Sequence, residues 1–163
     1  MADKITVSEL LSLGSITERN RLPFEGMTLR LHRISDYLKA DVQQHLAPYQ
    51  LQQADFSILI SLYRQGKPYN TSPTLLYKTM LFSSGGLTKV LARVEEKQLI
   101  ERIDNPEDKR SKLVQLTEIG LQTIESILDK LQQSRQQKLS CLNAQEQKQF
   151  EELLTKILND WEG

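Results

Sequence analysis

The sequence predicts a mainly α-helical chain that carries one small β-hairpin. Three observations point there. Aromatic residues make up only 6% of a chain that is 39% apolar, which favours aliphatic packing between helices over a β-sandwich core. Apolar residues recur at spacings of three and four through most of the 163 residues, which is the signature of one helix face. The exception is a pair of short runs, LIERI (99–103) and KLVQL (112–116), flanking a polar stretch with Asn105 and Pro106. These read as two strands joined by a loop longer than most hairpins use.

Residues 1–24 form an arm ending at Leu22-Pro23, with room for one helical turn around Ser8 to Leu13. From Gly26 to His45, Met27, Leu31, Ile34, Leu38 and Val42 lie on one face of an amphipathic helix that Pro48 closes. A second helix runs from Gln53 to Arg64, burying Phe56, Leu59, Ile60 and Tyr63, and Gly66 suits its C-terminal cap. Ser72-Pro73 has the form of an N-cap and first helical position for a short helix through Met80. Ser83 and Ser84 then precede a helix whose stripe is Leu87, Val90, Leu91 and Val94, with Lys89, Arg93 and Lys97 on another edge. After the hairpin, Thr117 caps a helix through about Ser140 bearing Leu121, Ile124, Leu128 and Leu131. Asn143 and Glu146 open the last helix as a capping box, and it carries Phe150, Leu153, Leu154, Ile157 and Trp161.

The length fits one domain with a real core. A net charge of zero does not announce a nucleic-acid binder, so any such role must come from local charge placement. A single cysteine, Cys141, and two histidines leave no disulfide and no structural zinc set, and no metal or cofactor is expected. No apolar run approaches the roughly 20 residues of a membrane span, and the N-terminus lacks a signal-peptide core, so a cytoplasmic location is expected.

Three short helices followed by a two-stranded hairpin is the order of a winged helix-turn-helix. Such proteins place the N-terminal end of the motif's second helix in the major groove of DNA, here Ser83-Ser84-Gly85-Gly86-Leu87-Thr88-Lys89. Hydroxyls reach base edges or phosphates, glycines allow close backbone approach, and free N–H groups at a helix start suit a phosphate. Taken singly these features are weak. Ser-Ser-Gly-Gly is most often a turn, and Lys89, Arg93 and Lys97 alternate with Glu95, Glu96 and Glu101 as a solvated, salt-bridged face would.

Residues 72–120 resemble the MarR family of bacterial transcription regulators. The family pattern D-x-R-x5-L-T-x2-G is met without a gap by Asp108, Arg110, Leu116, Thr117 and Gly120. The resemblance implies a homodimer, with 25–47 and 118–163 as its helical dimerisation region and 48–117 as the winged helix-turn-helix that binds double-stranded DNA. It implies that Arg110 enters the minor groove and that Asp108 braces the wing by pairing with a basic residue, for which Arg93 is the candidate. Ser72, Tyr77, Lys78, Ser83, Ser84, Gly85, Thr88, Lys89, Arg93, Lys109 and Lys112 complete the expected DNA-binding set, with Thr71 a further phosphate candidate and capping the stronger role for Ser72. A guanidinium at the wing suits a narrow A-T-rich minor groove, where negative potential concentrates, and a dimer would read half-sites about one helical turn apart.

The same resemblance implies a small aromatic or phenolic effector, for which His32, Arg33, Tyr37, Phe56 and Tyr63 are candidates. A thiol peroxide sensor is not expected, since no cysteine stands near the first long helix. The alternative is a winged-helix protein-interaction module without DNA binding, suggested by the near-balance of charge across 83–117. An enzyme fits least well, because no catalytic spacing of His, Cys or carboxylates and no phosphate-binding glycine loop is present.

Overall fold

The structure, a computed structural model, describes residues 5–13, 25–79 and 86–163. The chain divides into two compact units, Met1–Gln44 and His45–Gly163.

The first unit holds α1 (Val7–Leu13) and most of α2 (Glu25–Leu46). Helix α1 falls where the arm has room for a helical turn, while the arm's end at Leu22-Pro23 lies outside the described residues. Thr6 starts α1 with a reciprocal cap: its Oγ1 accepts from Glu9 N at 3.1 Å, and Glu9 Oε2 accepts from Thr6 N at 2.6 Å. These hydrogen bonds from Thr6 favour the charged form and hold the Glu9 carboxyl below its ordinary value. Arg33 Nη1 donates to the Ile5 carbonyl at 3.1 Å, tying the start of α1 to α2. The predicted apolar face of α2 is present but largely uncovered, with Met27, Ile34 and Leu38 exposed.

The second unit is the winged-helix body. Ala47–Tyr49 form a 3-10 turn with Pro48 in its first positions, ending on Gln50 in the left-handed region, so α2 stops where the sequence predicts. Helix α3 (Gln53–Arg64) follows, and Gly66 just past its end takes a φ of 73°, the conformation expected of a C-terminal glycine. Then come β1 (Asn70–Thr71), α4 (Pro73–Thr79), α5 (Leu87–Glu96), β2 (Ile100–Asp104), β3 (Lys112–Leu116), α6 (Glu118–Lys138) and α7 (Ala144–Glu162). Helix α3 packs against α4, α5, α6 and β3. The core there is aliphatic, as predicted: Ile58, Leu59 and Leu62 of α3 meet Leu76, Val94, Val114, Ile124, Ile127 and Leu131 with no exposed area above 1%. Phe56 and Leu59 are buried as expected, but Ile60 and Tyr63 are only half-buried. A helix enclosed on several sides buries more than one stripe, and Ile58 and Leu62 take the inner places. Tyr49 secures the 3-10 turn to α6, its hydroxyl 2.9 Å from both Lys130 Nζ and Ser126 Oγ. The Lys130 hydrogen bond stabilises the phenolate and lowers the Tyr49 pKa from its ordinary value.

Two strand details differ from expectation. The sheet is three-stranded and antiparallel in the order β1-β3-β2, with Asn70 opposite Gln115 and Thr71 opposite Val114. A two-residue strand carries too little alternation to be read from sequence. The first hairpin strand begins at Ile100, not Leu99. Leu99 belongs instead to the end of α5: Gln98 adopts φ 58°, its N–H bonds Glu95 O at 2.8 Å, and Leu99 N bonds Val94 O at 3.2 Å. That is a Schellman closure with glutamine where glycine usually sits, so no glycine marks this helix end in the chain.

Candidate nucleic-acid interface

Helix α4 opens on Ser72, whose Oγ accepts from Leu75 N at 3.1 Å. Capping therefore occupies that oxygen, while Tyr77 and Lys78 on the same helix are exposed. Thr71, the further phosphate candidate, is buried in β1 and offers DNA no surface. Residues 80–85 lie outside the described segments, so Met80, the expected end of α4, and the candidates Ser83, Ser84 and Gly85 lie outside them too.

Gly86 starts α5 with φ 93°, a conformation that favours glycine, and its carbonyl accepts from Lys89 N at 2.8 Å and Val90 N at 3.1 Å. Leu91 and Val94 are buried, which turns Thr88, Lys89, Ala92 and Glu96 outward on one exposed face. Thr88 and Lys89 are the expected contacts. Ala92, one turn beyond Thr88, is absent from the predicted set, although its place on the helical wheel follows from the stripe opposite it. A small apolar side chain there can meet a thymine methyl without blocking approach to the groove.

Arg93 does not pair with Asp108. Its Nε and Nη2 donate to Asp55 Oδ1 at 2.8 and 2.6 Å, and the Asp55 side chain is fully buried. A buried carboxylate left without a partner is strongly destabilising, so the cation serves Asp55, whereas Asp108 is exposed at the wing tip. The wing is braced from within instead. Asp108 Oδ1 accepts from Arg110 N at 3.0 Å, and its carbonyl accepts from Ser111 N at 3.0 Å and Ser111 Oγ at 3.1 Å. Asn105 does the same at the other side of the loop, accepting from Glu107 N at 3.0 Å and donating through Nδ2 to Ser111 Oγ at 2.9 Å. These side-chain turns make 105–111 a closed tip rather than a slack loop.

Charge on the wing is sorted by position. Lys112 is ion-paired with Asp104, its direct cross-strand neighbour, and Arg102 pairs with Glu95 at 3.2 Å. Lys89, Lys109 and Arg110, at the helix start and the wing tip, are exposed and make no ion pair among the described residues.

The ligand candidates fall in different units. His32, Arg33 and Tyr37 lie on α2 in the first, where Tyr37 is half-exposed. Phe56 and Tyr63 lie on α3 in the second, Phe56 buried and Tyr63 stacked on Tyr69 with ring centres 5.8 Å apart. Among the described residues no three His, Cys, Asp or Glu side chains group as a metal site would, and no helix is long and apolar enough to cross a membrane.

The MarR family model matches residues 51–112, from the start of the helical motif into the wing. The chain is 31% identical over 129 residues to the multiple antibiotic resistance protein MarR of Escherichia coli (strain K12), covering 78% of this chain and 88% of that one. It is 27% identical over 159 residues to the HTH-type transcriptional regulator PecS of Dickeya dadantii (strain 3937), covering 96% and 95%. Among solved structures, a cysteine-to-serine mutant of the E. coli MarR complexed with operator DNA superposes with a TM-score of 0.69 at 28% identity, over 85% of this chain and 99% of that one. A Bordetella bronchiseptica protein, BpsR, solved in work on regulation of its DNA binding by 6-hydroxynicotinic acid, superposes with a TM-score of 0.68 at 26% identity over 84% and 96%.

Proposed function

Because the chain belongs to the MarR family of transcription regulators, we propose that it binds double-stranded DNA as a homodimer at a near-palindromic operator and regulates transcription in the cytoplasm. One observation carries the assignment of contacts: within α5 and the wing, the cations with acid partners are Arg93 in the last turn of α5 and Arg102 and Lys112 on the wing strands, whereas Lys89 at the start of α5 and Lys109 and Arg110 in the wing-tip loop have none among the described residues. Thr88, Lys89 and Ala92 face the major groove at the start of the recognition helix. Arg110 enters the adjoining minor groove, and Tyr77, Lys78, Lys109 and Lys112 meet the backbone. A charge-neutral chain binds this way because the local potential, not the sum, meets the DNA.

The homodimer is supported by α7, none of whose side chains is buried although Leu153, Leu158 and Trp161 line it. A small aromatic effector is supported by the likeness to BpsR, whose DNA binding is regulated by 6-hydroxynicotinic acid. His32, Arg33, Tyr37, Phe56 and Tyr63 stay the candidate residues for it.

The test is fluorescence anisotropy with duplex fragments selected by the protein from a random pool. The native chain binds a palindromic fragment well above a scrambled duplex, and Arg110→Ala loses about tenfold or more of that affinity with its circular dichroism unchanged. Equal binding of Arg110→Ala would remove the wing from the mechanism. No preference in the native chain would favour the protein-interaction reading instead.

A further inference from the structure

Asp55 stands outside the set of outward-facing charges and is ion-paired with Arg93. It is the third residue of α3, and its carboxylate is fully buried. Oδ2 accepts from Gln52 N at 2.8 Å and so closes the start of α3. Oδ1 accepts from both Nε and Nη2 of Arg93, in the last turn of α5. Arg93 keeps about a third of its side chain exposed, 34%, and Nη1 makes no hydrogen bond among the described residues.

Stability alone is a poor reason for this pair. Two apolar side chains of similar volume commonly pack there as well or better than a buried ion pair does. What aliphatic contacts do not supply is direction. The guanidinium is a rigid planar fork, and with two of its nitrogens on one fixed oxygen it sets both the distance of α5 from the start of α3 and the rotation of α5 about its own axis. Leu91 and Val94 alone would permit small rotations, since aliphatic contacts are non-directional. The reading end of α5 is sensitive to them. Lys89 stands one turn before Arg93, and a side chain roughly 6 Å from the helix axis moves about 2 Å for a rotation of about 20°. That displacement is enough to lose a hydrogen bond to a base edge while a long lysine still reaches a phosphate.

We propose that Asp55 is the positioning residue of the recognition helix: acting through Arg93, it sets the rotation at which Thr88, Lys89 and Ala92 meet the base edges. This rests on the DNA-binding reading above and adds a determinant of specificity that never touches DNA.

Asp55→Asn keeps the shape of the side chain and removes its charge. Arg93→Lys keeps a cation beside Asp55 and removes the fork. Each is compared with the native full-length chain by anisotropy on the selected palindromic duplex and on a scrambled duplex of equal length, across a salt series, at a temperature well below its melting midpoint. The expected result is a loss of about tenfold or more on the selected duplex for both variants, with Asp55→Asn leaving the scrambled-duplex affinity and the salt slope unchanged. An undiminished preference for the selected duplex in either folded variant overturns the proposal and reduces the pair to packing. Equal losses of Asp55→Asn on both duplexes overturn it as well, because a general weakening is not a change of register. A native chain that does not discriminate between the duplexes sinks the DNA-binding reading and this inference together, an outcome distinct from the first two.

Discussion

Lys112 and Asp104 face each other across β3 and β2 and form an ion pair with both side chains more than half exposed, at 56% and 82%. Such a pair contributes little to folding, about 0–1 kcal/mol, so its consequence is for binding. A phosphate that met Lys112, as proposed, would have to compete with Asp104 for the ammonium. Asp104→Asn is therefore expected to raise affinity for both selected and random duplexes by a few-fold. Lys112→Gln lowers the slope of log affinity against log salt by about 1 if that ammonium neutralises a phosphate. A slope unchanged in Lys112→Gln would make Lys112 a wing-stabilising residue only. At this scale the place of Asp108 and Arg110 in the wing tip is legible in the sequence, because both lie within one spaced pattern in a single stretch of chain, but the partners of Asp108 are not. Nor is Asp55. A partner 38 residues away leaves no periodic trace, and the motif points Arg93 to the wrong acid because sequence proximity says nothing about which carboxylate is buried.

At the scale of elements, the end of the motif acquires a mechanical meaning. Thr117 caps α6 by accepting from Gly120 N at 2.9 Å, and its hydroxyl donates to Gln98 O at 2.6 Å while its N–H bonds Leu99 O at 3.1 Å. Gly120 then lets the first turn of α6 lie directly on the Leu99 backbone, where any Cβ would overlap the Leu99 carbonyl. The exit of the recognition helix and the start of α6 are thus one joint. Gly120→Ala must push them apart, and neither backbone side is a flexible group that could yield. It should cost about 2–4 kcal/mol, read as a drop in urea midpoint; a midpoint unchanged would mean that α6 shifts freely on the winged body. The glycine is legible from its place in the motif, but its reason is not, since it lies in a contact with Leu99, far back along the chain. Helix positions themselves are legible throughout the described segments, because each carries a stripe, a cap or both, whereas β1 exists only through its pairing with β3.

At the scale of the whole molecule, the two units leave the same question. Helix α2 exposes Met27, Ile34 and Leu38 in the first, and α7 exposes Leu153, Leu158 and Trp161 in the second. Met27, Ile34 and Leu38, and Leu153 and Trp161, belong to the stripes the sequence predicts, Leu158 flanks the second, and Phe150, Leu154 and Ile157 of that stripe are half-buried. Exposed apolar faces of this kind mark interaction surfaces, and in the proposed homodimer a second copy of the chain would supply a matching face for α7 by two-fold symmetry. On the proposed reading, binding would depend on association, because a single winged body would read one half-site and a dimer would gain the second as an intramolecular step. Replacing Leu153 and Leu158 together by Glu places two charges on that face without touching a residue of the winged core. The expected product sediments as a monomer, keeps the helix content of α6 and the winged body, and binds the selected palindrome about a hundredfold less tightly, with a remaining affinity close to that of an isolated half-site. A variant that still sediments as a dimer at the same concentration would show that α7 is not the seam. One that becomes monomeric yet binds the palindrome undiminished would uncouple association from recognition and return the exposed stripe to some other partner.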